Sequence, residues 1–140
     1  MSDVKSLHPK EAWQMLQEDP RAVLIDVRSD MEFLFVGHPV GAIHIPWIDY
    51  PEWTINPNFV VEVRKVILGG ICGADGHQSA PVILICRSGK RSREAGRLLI
   101  QEGFCQVYNV AEGFEGELDA EHHRGTLGGW RFHGLPWEQC

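Results

Sequence analysis

The stretch Val82-Ile-Leu-Ile-Cys86-Arg-Ser-Gly-Lys-Arg91-Ser92 constrains this chain more than any other. An unbroken apolar run ends at a cysteine, turns through a basic loop containing a glycine, and resumes with a different period. Four consecutive large aliphatic residues after Pro81 fit a strand buried on both faces, where apolar and polar residues need not alternate. Between Arg93 and Glu102 the apolar residues Ala95, Leu98, Leu99 and Ile100 fall near one side of a helix. Cys86 therefore stands where a strand gives way to a helix. Backbone N–H groups in a tight turn and at a helix start point inward and favour negative charge. Side chains reinforce them: Arg87, Lys90, Arg91, Arg93 and Arg97 against the single Glu94 leave a local net charge of +4, in a chain whose formal net charge is −6. These surroundings favour the thiolate form of a cysteine. A small cationic pocket on an acidic protein selects a small anion, whereas a nucleic acid or an anionic membrane needs a broad basic surface.

The rest of the chain supplies a sheet around this strand. Strands are expected over residues 5–7, 22–25, 41–46, 82–85 and 104–110, and helices over 9–18, 30–35, 59–67 and 93–102. Pro9 opens the first helix, and Ala12, Trp13, Met15 and Leu16 give it a core-facing stripe. Strands separated by helices imply right-handed parallel crossovers, so the fold class is α/β with a central, mainly parallel five-stranded sheet and helices on both faces. A length of 140 residues suits one domain, 1–140, which buries enough surface to fold without staples. Four cysteines, Cys72, Cys86, Cys105 and Cys140, are too few and too irregularly spaced for a secreted disulfide scaffold, and a cytoplasmic location is expected. The first residues lack an apolar signal core, and no run approaches the length of a membrane span. Cys105, before an apolar strand, is expected to pack.

The cysteine loop resembles the active loop of the rhodanese superfamily, a cysteine followed by four residues and then arginine and serine or threonine. Cys86-x4-Arg91-Ser92 has that spacing. The similarity continues through Leu24-Ile-Asp26-Val-Arg28, Gly37-His38-Pro-Val-Gly41-Ala-Ile-His-Ile-Pro46, Val107-Tyr-Asn-Val-Ala-Glu-Gly113-Phe114 and Gly134-Leu-Pro136, in the family's order. Two departures are a longer segment between Pro46 and Pro81, and Pro39-Val40 where the family usually places Ile-Pro. Related cysteine phosphatases have five intervening residues, which leaves this loop one residue short of a phosphate cradle.

The resemblance implies sulfur transfer by covalent catalysis. Cys86 is the expected nucleophile, forming a persulfide with a sulfane sulfur taken from an anionic donor such as thiosulfate. The backbone of Ser88, Gly89, Lys90, Arg91 and Ser92 is expected to hold the terminal sulfur. Arg87 and Lys90 attract the donor, and Arg91 anchors the loop. The acceptor is a thiol, cyanide or a protein, with no cofactor, nucleic acid or membrane involved. A carrier protein, relaying persulfide between partners with little turnover on free thiosulfate, fits the same residues; the aromatic segment from Trp47 to Trp53 and the loop around His77 would then form the docking face.

Other residues have structural and functional readings. Asp26 and Arg28 end a strand on the cysteine's side of the sheet, as structural residues or as part of the substrate rim. His38 is a hydrogen-bonded turn residue or a general base. Trp130 and His133, before Gly134-Leu-Pro136, are surface-packing residues or part of the active-site rim. Cys72 and His77 have no companion pair at zinc spacing, so no metal is expected. Cys140 is a terminal thiol.

Overall fold

The structure is a computed structural model and describes residues 4–48, 53–67 and 80–139. Its centre is a five-stranded sheet in the order β1-β6-β5-β2-β4, with every pairing parallel. The strands are β1 (Lys5–Leu7), β2 (Val23–Asp26), β4 (Ile43–His44), β5 (Val82–Ile85) and β6 (Val107–Val110). The all-aliphatic β5 lies in the middle, and each of its four residues is buried, as the absence of alternation requires.

Helices cover both faces. Successive side chains of a strand point to opposite faces, and here Val82, Leu84 and Cys86 join the cluster of α2 (Phe59–Val66) and α3 (Lys90–Gln101). Ile83 and Ile85 join Ala12 of α1 (Pro9–Glu18) on the other face. His8 caps α1, its Nδ1 accepting the Lys10 N–H at 3.1 Å while Glu11 accepts the His8 N–H at 2.9 Å. Asn58 makes no side-chain cap to α2. Asn56 holds that turn instead, accepting the Asn58 N–H at 2.9 Å.

Several elements differ from the expectations: α3 starts at Lys90 rather than at 93, and β4 and β6 are shorter than 41–46 and 104–110. The helix expected over 30–35 ends as a π-helical turn, Glu32–Val36, closed by Gly37 N–H donating to Glu32 O at 3.2 Å. Gly37 (φ 115°) then reverses the chain into β3 (His38–Pro39), which pairs antiparallel with β7 (Trp137–Glu138) of the tail. The tail thus returns to the core, and Trp130, read above as a surface or rim residue, is fully buried. It stands edge-on to Trp13 at 5.9 Å and donates its indole N–H to Pro136 O at 2.8 Å, so its one polar atom is satisfied. Trp47 is likewise a core residue, packed at 5.1 Å against Phe59, which removes it from a docking face. Cys105, expected to pack, is instead exposed, and it is disulfide-bonded. Tyr50, Cys72, His77 and Cys140 lie outside the described residues.

Asp26 and Arg28 are both fully buried. Arg28 donates Nε to Asp26 Oδ1 at 2.9 Å and Nη2 to Asp26 Oδ2 at 2.6 Å, while its Nη2 also reaches Gly37 O. The guanidinium lies 4.5 Å from the centre of the Phe114 ring, which covers a cation with no access to water. The pair ties the end of β2 to the Gly37 turn and to the segment after β6. Removing one member leaves the other charge buried and uncompensated, at a cost of about 3–5 kcal/mol. Asp26→Ala is therefore expected to lower the free energy of unfolding by that much, read as a lower urea midpoint at an unchanged slope, and a loss below about 1 kcal/mol would refute the buried-charge account.

Candidate active site

Cys86 follows β5 directly and is a free thiol only 1% exposed. Its sulfur accepts the Gly89 N–H at 3.1 Å and meets the Ser92 hydroxyl at 3.2 Å. Gly89 is the N-cap of α3 at φ 104°, a left-handed conformation that side chains disfavour. A Cβ there would stand 2.6 Å from Ala111 O, so two constraints select glycine at this position. The loop therefore curls tightly enough to aim an amide back at the sulfur.

Ser92 has one hydroxyl proton and two neighbours that can accept it, the sulfur of Cys86 and Oδ1 of Asn109. Asn109 also donates Nδ2 to Gly89 O at 3.1 Å, joining β6 to the loop. The hydroxyl can turn toward Asn109 while Cys86 keeps its proton, or toward the sulfur when it is ionised.

The strut under the loop comes from the segment after β6. Phe114 N–H donates to Cys86 O at 2.8 Å, and Glu115 N–H to Arg87 O at 2.9 Å. Gly113 allows this approach: a Cβ on it would lie 2.5 Å from Arg87 O. Its φ of 67° independently disfavours a side chain.

Four of the basic residues of the loop and helix, Arg87, Lys90, Arg91 and Arg93, have different places. Arg91 does not project freely; it forms a two-pronged ion pair with Glu32, Nη1 to Oε1 at 3.3 Å and Nη2 to Oε2 at 3.1 Å. Glu32 is held in turn by Ser29, whose N–H and hydroxyl donate to Oε1 at 3.2 and 3.0 Å. Burial raises the Glu32 pKa, but the Arg91 hydrogen bonds and charge and the Ser29 donors outweigh it and hold the carboxyl below its ordinary 4.5. Burial pulls Arg91 down, and Glu32 more than reverses this. Arg93 donates to Ser6 Oγ at 2.6 Å, whereas Arg87 and Lys90 are exposed.

An open cleft of about 460 Å³ lies beside the loop, lined by Arg87, Arg91 and Arg124 together with Ser29, Glu32, Val36, Trp53 and Glu115. Cys86, Asp26 and Arg28 do not line it. His38 stacks on Phe33 at 3.8 Å and is hydrogen-bonded to Phe33 O and Glu138 Oε1, which makes it part of the β3 turn. Sequence reading missed Glu32, Asn109 and Arg124. Glu32 had a signal in the capping-box spacing Ser29-x-x-Glu32, and Asn109 lies in the Val107-Tyr-Asn-Val stretch of the family resemblance; Arg124 had none, being brought in by the tail.

Comparison with known proteins agrees with this geometry. A family model described as the rhodanese-like domain matches residues 8–119. The chain belongs to the rhodanese-like domain family. The crystal structure of Rv0390 from M. tuberculosis is 41% identical in sequence, superposes with a TM-score of 0.84, and covers 99% of this chain and 100% of its own. The chain is 27% identical to GlpE of Haemophilus influenzae, named a thiosulfate sulfurtransferase, over 84% of this chain and 90% of that one. The polysulfide-sulfur transferase homodimer of Wolinella succinogenes is 26% identical, with a TM-score of 0.63, and covers 99% of this chain and 80% of its own. No helix among the described residues is long and apolar enough to cross a membrane.

The lowered pKa of Glu32 makes the contribution of the Glu32–Arg91 pair depend on pH. A carboxyl whose pKa is depressed by folding contributes stability above its unfolded value, and that contribution is lost as pH falls through the folded value. Wild type and Glu32→Gln should differ most in unfolding midpoint near neutral pH and converge below about pH 4.5. A difference that does not change with pH would show that Glu32 acts through packing alone.

Proposed function

We propose that the protein is a sulfurtransferase, working as one domain over residues 1–140, that moves a sulfane sulfur from thiosulfate to a thiophilic acceptor through a persulfide on Cys86. The observation that supports it most directly is the Cys86 sulfur at the end of β5, with the Gly89 amide at 3.1 Å and the Ser92 hydroxyl at 3.2 Å, beside a cleft that carries three arginines. The relative named thiosulfate sulfurtransferase points to the same chemistry.

In the first half-reaction the Cys86 thiolate attacks the outer sulfur of thiosulfate, and the S–S bond to the sulfonate breaks. Sulfite leaves with the bonding pair. In the second, cyanide or a thiolate attacks the terminal sulfur of the persulfide, forms the new bond to sulfur and returns the Cys86 thiolate. No external oxidant or reductant is consumed. The backbone N–H groups of Ser88 through Ser92 hold the terminal sulfur; Arg87 and Lys90, both exposed, attract the anionic donor, and Arg91 stays committed to Glu32 and keeps the loop closed. Oriented amides inside a water-poor loop stabilise the persulfide anion better than water does, because they need not reorganise as charge moves.

A second reading, a carrier that receives persulfide from a protein and passes it on, is favoured by the exposure of Met31, Leu34 and Phe35 around Glu32 beside the cleft, Phe35 being 68% exposed. Incubation with thiosulfate followed by intact-mass measurement separates the two. The sulfurtransferase should gain the mass of one sulfur atom on Cys86, lose it to cyanide and turn over, and Cys86→Ser should lose all transfer while Cys105→Ser keeps most of it. Persulfide formation only from a persulfidated protein would establish the carrier, and transfer by Cys86→Ser would refute both.

A further inference from the structure

Away from the cysteine loop, three side chains distant in sequence converge on one point: His8 at the start of α1, Glu112 after β6 and His133 in the tail. Their ligand atoms lie within 4.8 Å of one another. His133 Nε2 is 2.8 Å from Glu112 Oε1, His8 Nε2 is 3.6 Å from Glu112 Oε2, and the two imidazole rings are 4.4 Å apart. We propose that His8, Glu112 and His133 form a binding site for a divalent transition-metal ion of the zinc class, with solvent completing the coordination.

Two imidazoles and one carboxylate are a donor set that borderline-soft ions accept and that hard oxygen-seeking ions do not prefer. In a tetrahedral site with metal–ligand bonds of about 2.0–2.1 Å, neighbouring ligand atoms stand about 3.3–3.4 Å apart. The His8–Glu112 separation, 3.6 Å to Oε2, is close to this; the His133–Glu112 contact, 2.8 Å to Oε1, has to open by about half an ångström, and the widest pair, now within 4.8 Å, has to close.

The carboxylate is pre-positioned. Glu112 Oε1 accepts the Gly129 N–H at 2.8 Å, and Gly128 leaves the space it occupies, since a Cβ there would stand 2.3 Å from that oxygen. The three side chains are 40%, 33% and 18% exposed for His8, Glu112 and His133, which leaves an open side for entry and for water.

Both rings must shift a proton: His133 Nε2 faces the Glu112 carboxylate at 2.8 Å and so carries its proton, which coordination moves to Nδ1. His8 Nδ1 accepts the Lys10 N–H, so the neutral ring carries its proton on Nε2. Coordination through Nε2 moves that proton to Nδ1 and gives up this capping bond. The other half of the box, the His8 N–H to Glu11, is untouched.

Occupancy has a structural consequence. Glu112 immediately precedes the Gly113–Gly116 strut that holds the carbonyls of Cys86 and Arg87, so an ion here ties α1 and the tail to the base of the cysteine loop. Nothing in the chemistry of Cys86 requires it.

The test is titration of the chelator-treated full chain with Co²⁺ and Zn²⁺, in wild type, His8→Asn and His133→Gln. Asparagine keeps a helix cap and glutamine keeps a donor to Glu112, so both variants should fold. Wild type should bind one ion with a cobalt spectrum free of thiolate charge-transfer absorption, and Zn²⁺ should raise its thermal midpoint. Each variant should bind about tenfold or more weakly and lose that rise. The proposal is overturned if wild type does not bind, if both variants bind as wild type does, or if the spectrum reports a thiolate ligand.

Discussion

The close approach of the cysteine loop to the segment after β6 is the constraint on which the rest of the structure depends. Two chain reversals meet backbone to backbone, with no room for a Cβ at Gly89 or Gly113. Because they meet, the carbonyls of Cys86 and Arg87 are spent on Phe114 and Glu115, and the Gly89 amide is left to turn inward onto the sulfur. A buried sulfur without donors would lose hydration and gain nothing for it; here the loop itself supplies what water would have supplied.

Charge is arranged around that contact in two ways. Asp26 and Arg28 neutralise each other in the core and fasten the end of β2 to the Gly37 turn and Phe114. Glu32 and Arg91 do the same nearer the surface, joining the π-helical turn to the start of α3. The effect is to hold three loops at the carboxyl ends of parallel strands, where such sheets carry their ligands. With Arg91 engaged, the positive charge available to a ligand in the cleft comes chiefly from Arg87 and from Arg124, a tail residue.

The tail completes both the core and the cleft. Trp130 fills the α1 side of the sheet, β7 covers β3, and Arg124 is held at the cleft by donating Nη1 to Gly116 O at 2.6 Å. A segment rich in glycine with little apolar periodicity can do this because it packs by single anchors rather than by a repeating face. Those anchors have no sequence period to reveal them.

What the sequence alone determined is local or periodic. An aliphatic run fixes a buried central strand, the 3.6-residue pattern fixes α1 and α3, and the cysteine-x4-arginine spacing with its glycine fixes the loop between them, because each depends on neighbours a few residues away. Tertiary structure decided the rest. Whether Trp130 and Trp47 lie inside, which carboxylate engages Arg91, and that Asn109 reaches Gly89 all depend on contacts between segments far apart in the chain. Composition and spacing do not record such contacts: the energy that selects them comes from burying apolar surface and pairing polar groups across elements, and it exists only once the sheet has brought those elements together.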